Sequence, residues 1–126
     1  MSSEPKVTRK LRAILSADVK GYSLLMADDE AYTIRKLEEY RTRMSNLIGA
    51  NSGSVVDAVG DNLLAEFSSA VDAIQCAVEI QKALKAKNSE LVKDKQLNFR
   101  IGVNVGDVIQ DKDRIYGAGV NVAARI

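Results

Sequence analysis

Two aspartates occupy positions that side-chain packing does not explain. Asp18 comes near the end of the short apolar run Leu11–Val19, and Asp61 lies between two runs with the composition of β-strands. Paired carboxylates with no histidine nearby suit hard cations such as Mg²⁺ or Mn²⁺. Sites that hold these cations commonly act on nucleotide phosphates. Aspartate is also common in turns, so Asp61 taken alone fits a structural turn residue, whereas Asp18 taken alone favours neither interpretation.

The composition narrows this chemistry further. The chain of 126 residues has no histidine and a single cysteine, Cys76. These absences exclude Ser-His-Asp and Cys-His catalysis, a histidine-ligated zinc site and an intramolecular disulfide. Catalysis must then use carboxylates, lysine, arginine, tyrosine, hydroxyls, backbone amides or metal ions held by oxygen ligands.

Charge and hydropathy exclude two classes of partner. The chain carries 18 Lys and Arg against 17 Asp and Glu, a net charge of +1, so we expect no nucleic-acid partner. No segment approaches the roughly 18 consecutive apolar residues of a membrane span, and the first residues lack the apolar core of a signal peptide. The sequence therefore predicts no direct membrane insertion and a cytoplasmic location.

The hydrophobic pattern predicts an α+β fold in one domain. Residues 1–10 are polar and predict a flexible N-terminal arm, and residues 11–126 predict the folded domain. Periodicity predicts the elements in the order strand 11–19, helix 28–48, strand 54–59, strand 62–67, helix 70–87, strand 97–109 and a closing helix over 117–126. This order is βαββαβ, the ferredoxin-like arrangement of an antiparallel sheet with both helices on one face, followed by the start of a further helix.

Two local signals support this order. Gly60 and Asp61 have the length and composition of a tight hairpin turn, and Ser69 followed by Asp72 predicts a helix cap. The segment Gly21–Ser23 leads from Asp18 towards a helix, where backbone amides can bind a phosphate, although a plain loop with a serine cap is the simpler interpretation of that segment alone.

Four segments carry a family resemblance. SADVKGYS (16–23), VGDNLLAEF (59–67), FRIGVNVG (99–106) and IYGAGVNVAAR (115–125) resemble, in order, the motifs of bacterial class III adenylate/guanylate cyclase catalytic domains. The resemblance covers the chain from Leu11 to its last residue. It implies that two metal ions bind Asp18, Asp61 and the backbone carbonyl of Val19. It also implies that the triphosphate is held by the amides of Lys20, Gly21, Tyr22 and Ser23.

The same resemblance implies a reaction and an assembly. ATP would be converted to 3′,5′-cyclic AMP and pyrophosphate, in intracellular signal transduction, with Asn121 and Arg125 acting on the transition state. These two residues are four apart, so a helix would place them on one face, and a planar guanidinium suits charge spread over phosphate oxygens. Without the motif, Arg125 fits a solvated helix charge. Such domains work as homodimers, the metal ligands coming from one subunit and the Asn/Arg pair from the other.

Several positions depart from the family pattern. Where relatives have an adenine-reading lysine and aspartate, this chain has Asp57 and Arg114, so the two charges are exchanged and base recognition is either preserved with swapped partners or altered. Asp107 replaces a phosphate-facing arginine, and the chain ends at Ile126, inside the predicted helix, where family domains continue. We therefore expect a domain that is incomplete at its C-terminal end. A fused or associated regulatory domain in the full-length protein is compatible with the sequence, which does not identify one.

Three interpretations follow from the sequence. An adenylate cyclase using ATP with Mg²⁺ or Mn²⁺ is favoured, since the positions that read the base do not carry the Glu and Cys of guanine-reading enzymes. The alternative is a catalytically inactive cyclase-like module that binds nucleotide or dimerises, which the departures at Asp57, Arg114 and Asp107 favour. A ferredoxin-like interaction domain unrelated to nucleotides would leave four ordered motifs as coincidence.

Overall fold

An antiparallel sheet with helices on one face forms the framework of the protein, as a computed structural model describes it. The structure describes residues 8–111, 114–116 and 124–125, with side chains over 11–106. The described elements are β1 (Thr8–Val19), α1 (Tyr22–Asp28), α2 (Glu30–Ala50), β2 (Gly53–Val59), β3 (Asn62–Phe67), α3 (Ala70–Asn88), a 3₁₀ turn (Lys93–Lys95), β4 (Phe99–Asp111), β5 (Arg114–Tyr116) and β6 (Ala124–Arg125).

The sheet has β1 at its centre. The strand order is β2-β3-β1-β4-β5, every described pair is antiparallel, and β6 also pairs with β4. Ala17 of β1 lies opposite Leu63 of β3 on one side and Ile101 of β4 on the other. The predicted βαββαβ order and antiparallel sheet are thus confirmed.

Both long helices bury one stripe against the same face of the sheet. In α2 the buried residues Leu37, Tyr40, Met44 and Ile48 recur at helical spacing, as the sequence pattern predicts. Side chains of a strand alternate between faces, so Ala13, Leu15, Ala17 and Val19 of β1 all reach this core. The other face of the sheet carries Ser16 and Asp18 beside apolar residues such as Ile14.

Polar side chains cap the first turns of α2 and α3. The Asp29 side chain accepts a hydrogen bond from the Tyr32 amide at the start of α2, and Ser69 accepts one from the Asp72 amide, 3.3 Å away, at the start of α3. Each contact satisfies an amide that has no acceptor within its own helix. The cap predicted from Ser69 and Asp72 is confirmed.

A buried amide network joins α2, α3 and the segment before β4. It consists of Tyr40, Asn88 and Leu97. The Tyr40 hydroxyl donates to Asn88 Oδ1 (2.6 Å), which also accepts from the Leu97 amide (3.2 Å), while Asn88 Nδ2 donates to the Leu97 carbonyl (2.8 Å). Burial raises the pKa of Tyr40 to about 12. The network fixes where β4 enters the sheet.

Some predicted boundaries were wrong. The strand β1 begins at Thr8, so residues 8–10 of the expected flexible arm pair with β4 instead. The predicted helix 28–48 is preceded by a separate short helix, α1, because Asp29 adopts an extended conformation that interrupts the helical path. Among the described helices, none is long and apolar enough to cross a bilayer.

The prediction of a closing helix is wrong for its described residues, Ala124 and Arg125. Ala124 and Arg125 form β6, opposite Val103 and Gly102 of β4. Beyond the short β5, this side of β4 has backbone groups that another strand can satisfy, and such pairing competes with a helical turn. The remaining residues predicted in this helix, 117–123 and 126, lie outside the described residues.

Candidate active site

The two singled-out aspartates lie at one end of the sheet. Asp18 is the penultimate residue of β1, and Asp61 lies in the two-residue turn between β2 and β3. The Val19 amide donates to Asp61 Oδ2 over 3.0 Å, which joins the turn to the end of β1. Gly60 has φ 59, at the turn position where a type II′ hairpin calls for glycine.

A third charged residue, Arg100, lies beside the aspartates. We call Asp18, Asp61 and Arg100 together the carboxylate cluster. It lies directly opposite Asp18 in the β1–β4 register. Its Nε donates to Asp18 Oδ1 (2.8 Å) and its Nη2 to Asp18 Oδ2 (3.1 Å), a two-pronged ion pair. Hydrogen bonding to Asp18, then the charge of Asp18 and to a smaller extent that of Asp61, raises the pKa of Arg100.

Sequence reasoning missed Arg100 as a site residue. It belongs to the segment FRIGVNVG, but a pattern along one strand does not say which residue of another strand it faces. The antiparallel pairing of β1 and β4 places this arginine, near the start of its strand, opposite an aspartate near the end of the other strand, and that register comes from the structure.

Two members of the carboxylate cluster, Asp18 and Arg100, line a cleft of about 470 Å³. Ser16 and Asp18 line it, and they alternate along β1 with the core residues Leu15 and Ala17. The cleft therefore opens on the sheet face away from the helices. Its other polar lining comes from Asp57, Asn62 and Arg100.

Asp57 reaches this cleft because of a β-bulge. Val55 lies opposite Ala65, but Asp57 lies opposite Leu64, so one extra residue interrupts the β2–β3 register. Without the extra residue Asp57 would face Leu63, which belongs to the core. The bulge moves the carboxylate to the polar face of the sheet, where it shares the cleft with Asp18.

The predicted phosphate segment, Lys20 to Ser23, follows β1 directly. The Lys20 amide donates to the Asn98 carbonyl (2.7 Å), so this amide is already used within the protein. Gly21 has φ 69 and precedes α1. Amides of a first helical turn have no acceptor in their own helix, which leaves those of Tyr22 and Ser23 for a ligand.

The remaining predicted site residues lie in or beside the less completely described part of the chain. Asn121 lies outside the described residues, and only the backbone is described for Arg114 in β5 and for Arg125 in β6. Arg125 is opposite Gly102, which lines the cleft. Because β6 is a strand, the helical i, i+4 relation predicted for Asn121 and Arg125 does not apply at Arg125.

The donors in this site fit a hard divalent cation. Asp18 and Asp61 supply carboxylate oxygens, and Val19, whose amide donates to Asp61, is the residue whose carbonyl is the third predicted ligand. Within the described side chains no group of three or more His, Cys, Asp or Glu could hold a metal. Mg²⁺ often binds one or two carboxylates and completes its shell with water and substrate phosphates, so two carboxylates beside an open cleft suffice.

Comparison with known proteins connects this geometry to a family. The profile of the adenylate and guanylate cyclase catalytic domain matches residues 7–126. The protein named "Putative adenylate cyclase 3" from Rhizobium meliloti (strain 1021) is 42% identical over 125 residues, which cover 98% of this chain and 21% of that protein. This chain thus spans about a fifth of the length of that relative.

Solved structures share the fold. The crystal structure of an adenylate/guanylate cyclase/hydrolase from Silicibacter pomeroyi superposes with a TM-score of 0.85 and 36% identity, over 94% of this chain and 69% of that chain. The guanylyl cyclase Cya2 superposes with a TM-score of 0.78 and 26% identity, over 91% of this chain and 68% of that chain. Because the profile covers nearly the whole chain and the fold matches solved cyclases, this chain belongs to the family of adenylate and guanylate cyclase catalytic domains.

Proposed function

We propose that this chain is the catalytic part of an adenylate cyclase that forms 3′,5′-cyclic AMP and pyrophosphate from ATP. The observation that carries the proposal is the hydrogen bond between the Val19 amide and Asp61, which joins the turn that carries Asp61 to the residue next to Asp18, and Asp18 lines a charged cleft. Family membership and the relative from Rhizobium meliloti support a nucleotide cyclase, and the oxygen-rich donor set supports metal-dependent phosphoryl chemistry.

The carboxylates and the segment after them would hold the reacting groups. Asp18, Asp61 and the Val19 carbonyl would hold two Mg²⁺ or Mn²⁺ ions, which would supply activation of the ribose 3′-hydroxyl and charge compensation for the phosphates. The 3′-oxygen gives its proton to a water molecule and bonds to the α-phosphorus, while the bond from that phosphorus to the departing pyrophosphate breaks. Amides of Tyr22 and Ser23 and the Arg100 guanidinium donate to phosphate oxygens.

Base recognition would use the exchanged charges. Asp57 lies in the same cleft as Asp18, where its carboxylate accepts a hydrogen bond from the adenine amino group. Arg114 donates to a ring nitrogen of the base. Guanine presents a carbonyl oxygen where adenine presents that amino group, so a carboxylate at position 57 favours ATP over GTP.

A second copy of the chain would complete each site. Asn121 and Arg125 of one subunit act on the transition state held by the metal ligands of the other, and the guanidinium donates to oxygens on which charge accumulates. The homodimer carries two such sites. This proposal predicts that subunits inactivated at Asp18 and subunits inactivated at Arg125 restore activity when mixed.

The first test is cyclic AMP production. Purified protein with Mn²⁺ and ATP is compared with Asp18→Asn and with the matched control Asp94→Asn, which changes an exposed aspartate outside the cleft. We expect product from the unaltered protein and from Asp94→Asn, and a loss of about 100-fold or more in Asp18→Asn. Equal output from all three proteins would contradict the metal assignment. A parallel assay with GTP tests the base preference.

The exchanged charges at Asp57 and Arg114 also favour a second candidate, a catalytically inactive module that binds nucleotide or dimerises. This candidate predicts metal-dependent ATP binding without turnover, and loss of that binding in Asp18→Asn. Calorimetric titration of ATP with Mn²⁺, alongside the product assay, separates it from the enzyme.

A further inference from the structure

One side chain connects the helical layer to the turn that carries Asp61. Arg41 lies on α2, next to the fully buried Tyr40. Its Nη2 donates to the carbonyl of Gly60 and to that of Asn62, the latter over 3.3 Å. These carbonyls belong to the residues immediately before and after Asp61. A single guanidinium thus holds the peptide groups on both sides of the proposed metal ligand.

The turn lies at the tip of a hairpin with little other packing. Its strand β2 is the edge of the sheet, Gly60 and Asn62 are exposed, and Val59 is 62% exposed. A tip of this kind moves easily unless polar contacts restrain it. Besides the β2–β3 pairing, the hydrogen bonds to this turn within the described part of the chain come from Arg41 in the helical layer and from the Val19 amide at the end of β1.

Stability alone is a poor explanation for Arg41. Its Nε is buried and has no hydrogen-bond acceptor among the described residues. A buried N–H group without an acceptor opposes folding, and proteins tend to keep such groups where function requires them. The two carbonyl contacts that the residue gains in return are both to the Asp61 turn.

We infer that Arg41 is a positioning residue for Asp61: by holding the carbonyls of Gly60 and Asn62, it keeps the Asp61 carboxylate beside Asp18 so that both bind the same metal centre. The inference rests on the proposed function, because it assigns Asp61 as a metal ligand. Charge-assisted contacts from a planar guanidinium to two acceptors restrain direction as well as distance. Removing such support behind a metal ligand typically lowers metal affinity by about 10- to 100-fold.

The test compares Arg41→Ala, Arg41→Lys and the control Arg43→Ala, which removes an exposed arginine from the same helix. Mn²⁺ affinity is measured by electron paramagnetic resonance without nucleotide, and hydrogen exchange of the Val19 amide reports its bond to Asp61. We expect Arg41→Ala to weaken Mn²⁺ binding about 10- to 100-fold and to speed Val19 exchange roughly tenfold. Arg41→Lys keeps a cationic donor, so its Mn²⁺ affinity and its Val19 exchange rate should lie between those of Arg41→Ala and the unaltered protein. Arg43→Ala should have the affinity and exchange rate of the unaltered protein.

Two results would overturn the inference. The first is Arg41→Ala with Mn²⁺ affinity and Val19 exchange within twofold of the unaltered protein; lower thermal stability with neither quantity changed would describe a purely structural residue. The second uses Arg41→Lys. If Arg41→Ala fails to fold, Arg41→Lys decides: weaker Mn²⁺ binding and faster Val19 exchange support the inference, and unchanged values contradict it.

Failure of the proposed function gives a different result. If the unaltered protein binds no Mn²⁺ at millimolar concentration, the metal assignment of Asp61 fails. Val19 exchange then still decides whether Arg41 holds the turn, because that measurement needs neither metal nor nucleotide.

Discussion

The carboxylate cluster and the buried amide network are both polar, but they differ in burial and in charge. In the cluster, the side chains of Asp18 and Arg100 are 34% and 51% exposed and both are charged. In the network, Tyr40, Asn88 and Leu97 are almost completely buried and neutral, and Asn88 uses its side-chain oxygen and nitrogen in short hydrogen bonds.

This difference indicates that the buried amide network stabilises the fold and that the carboxylate cluster performs chemistry. Exposed ion pairs contribute little to stability, whereas a buried polar group left without its partner is strongly destabilising. Charges next to an open cleft remain free to rearrange around a ligand. We therefore expect substitutions in the carboxylate cluster to change activity and metal binding, and substitutions in the amide network to change stability.

Asp61→Asn is expected to give the largest effect. Asparagine keeps an oxygen that accepts from the Val19 amide, so the turn stays in place while the negative charge is lost. Cyclic AMP formation should fall about 100- to 1,000-fold, while the free energy of unfolding changes by less than about 0.5 kcal/mol. Product assays and urea denaturation measure the two quantities. A variant as active as Asp94→Asn would show that Asp61 is only a turn residue.

Asn88→Ala is expected to show the opposite behaviour. It removes the partner of the Tyr40 hydroxyl and of both backbone groups of Leu97, all of them buried. The free energy of unfolding should fall by about 3 kcal/mol, because each orphaned group costs about 1–3 kcal/mol and the site relaxes in part. The control Asn46→Ala, on the exposed side of α2, should stay within about 0.5 kcal/mol. Equal stability of the two variants would contradict a structural role for the network.

The carboxylate cluster and the buried amide network also differ in how far the sequence predicted them. The helices that carry Tyr40 and Asn88 follow from hydrophobic periodicity, and the hairpin turn at Asp61 follows from its glycine and aspartate. The Asp18–Arg100 pair depends on the register between strands more than 80 residues apart, which no local pattern specifies. Two other features could not be predicted for the same reason: the bulge that turns Asp57 into the cleft, and the contact from Arg41 to the hairpin. Both depend on how separate elements pack.

High pH tests the amide network through Tyr40. In the folded protein the pKa of the Tyr40 phenol is about 12, whereas an exposed tyrosine has its ordinary pKa of 10.0. The contribution of this group to stability is therefore complete below pH 10 and is lost as the pH rises from 10 to 12. Urea denaturation over this range should show a steeper loss of stability in the unaltered protein than in Tyr40→Phe. Parallel curves would show that the Tyr40 hydroxyl ionises as freely in the folded state as in the unfolded one.

Arg100→Gln is expected to give the smallest effect, and it tests whether the charges of the carboxylate cluster compete. The guanidinium and a divalent cation both bind Asp18, so removing the guanidinium should increase Mn²⁺ affinity about twofold to fivefold, the scale of an exposed ion pair. Arg43→Gln serves as the control for loss of a positive charge elsewhere. If the gain passes through Asp18, it disappears when Arg100→Gln is combined with Asp18→Asn, because the two changes then remove the same interaction. A gain that persists in the double variant would mean that Arg100 acts on the metal through its long-range field, and weaker binding in the single variant would mean that Arg100 orients Asp18 rather than competing for it.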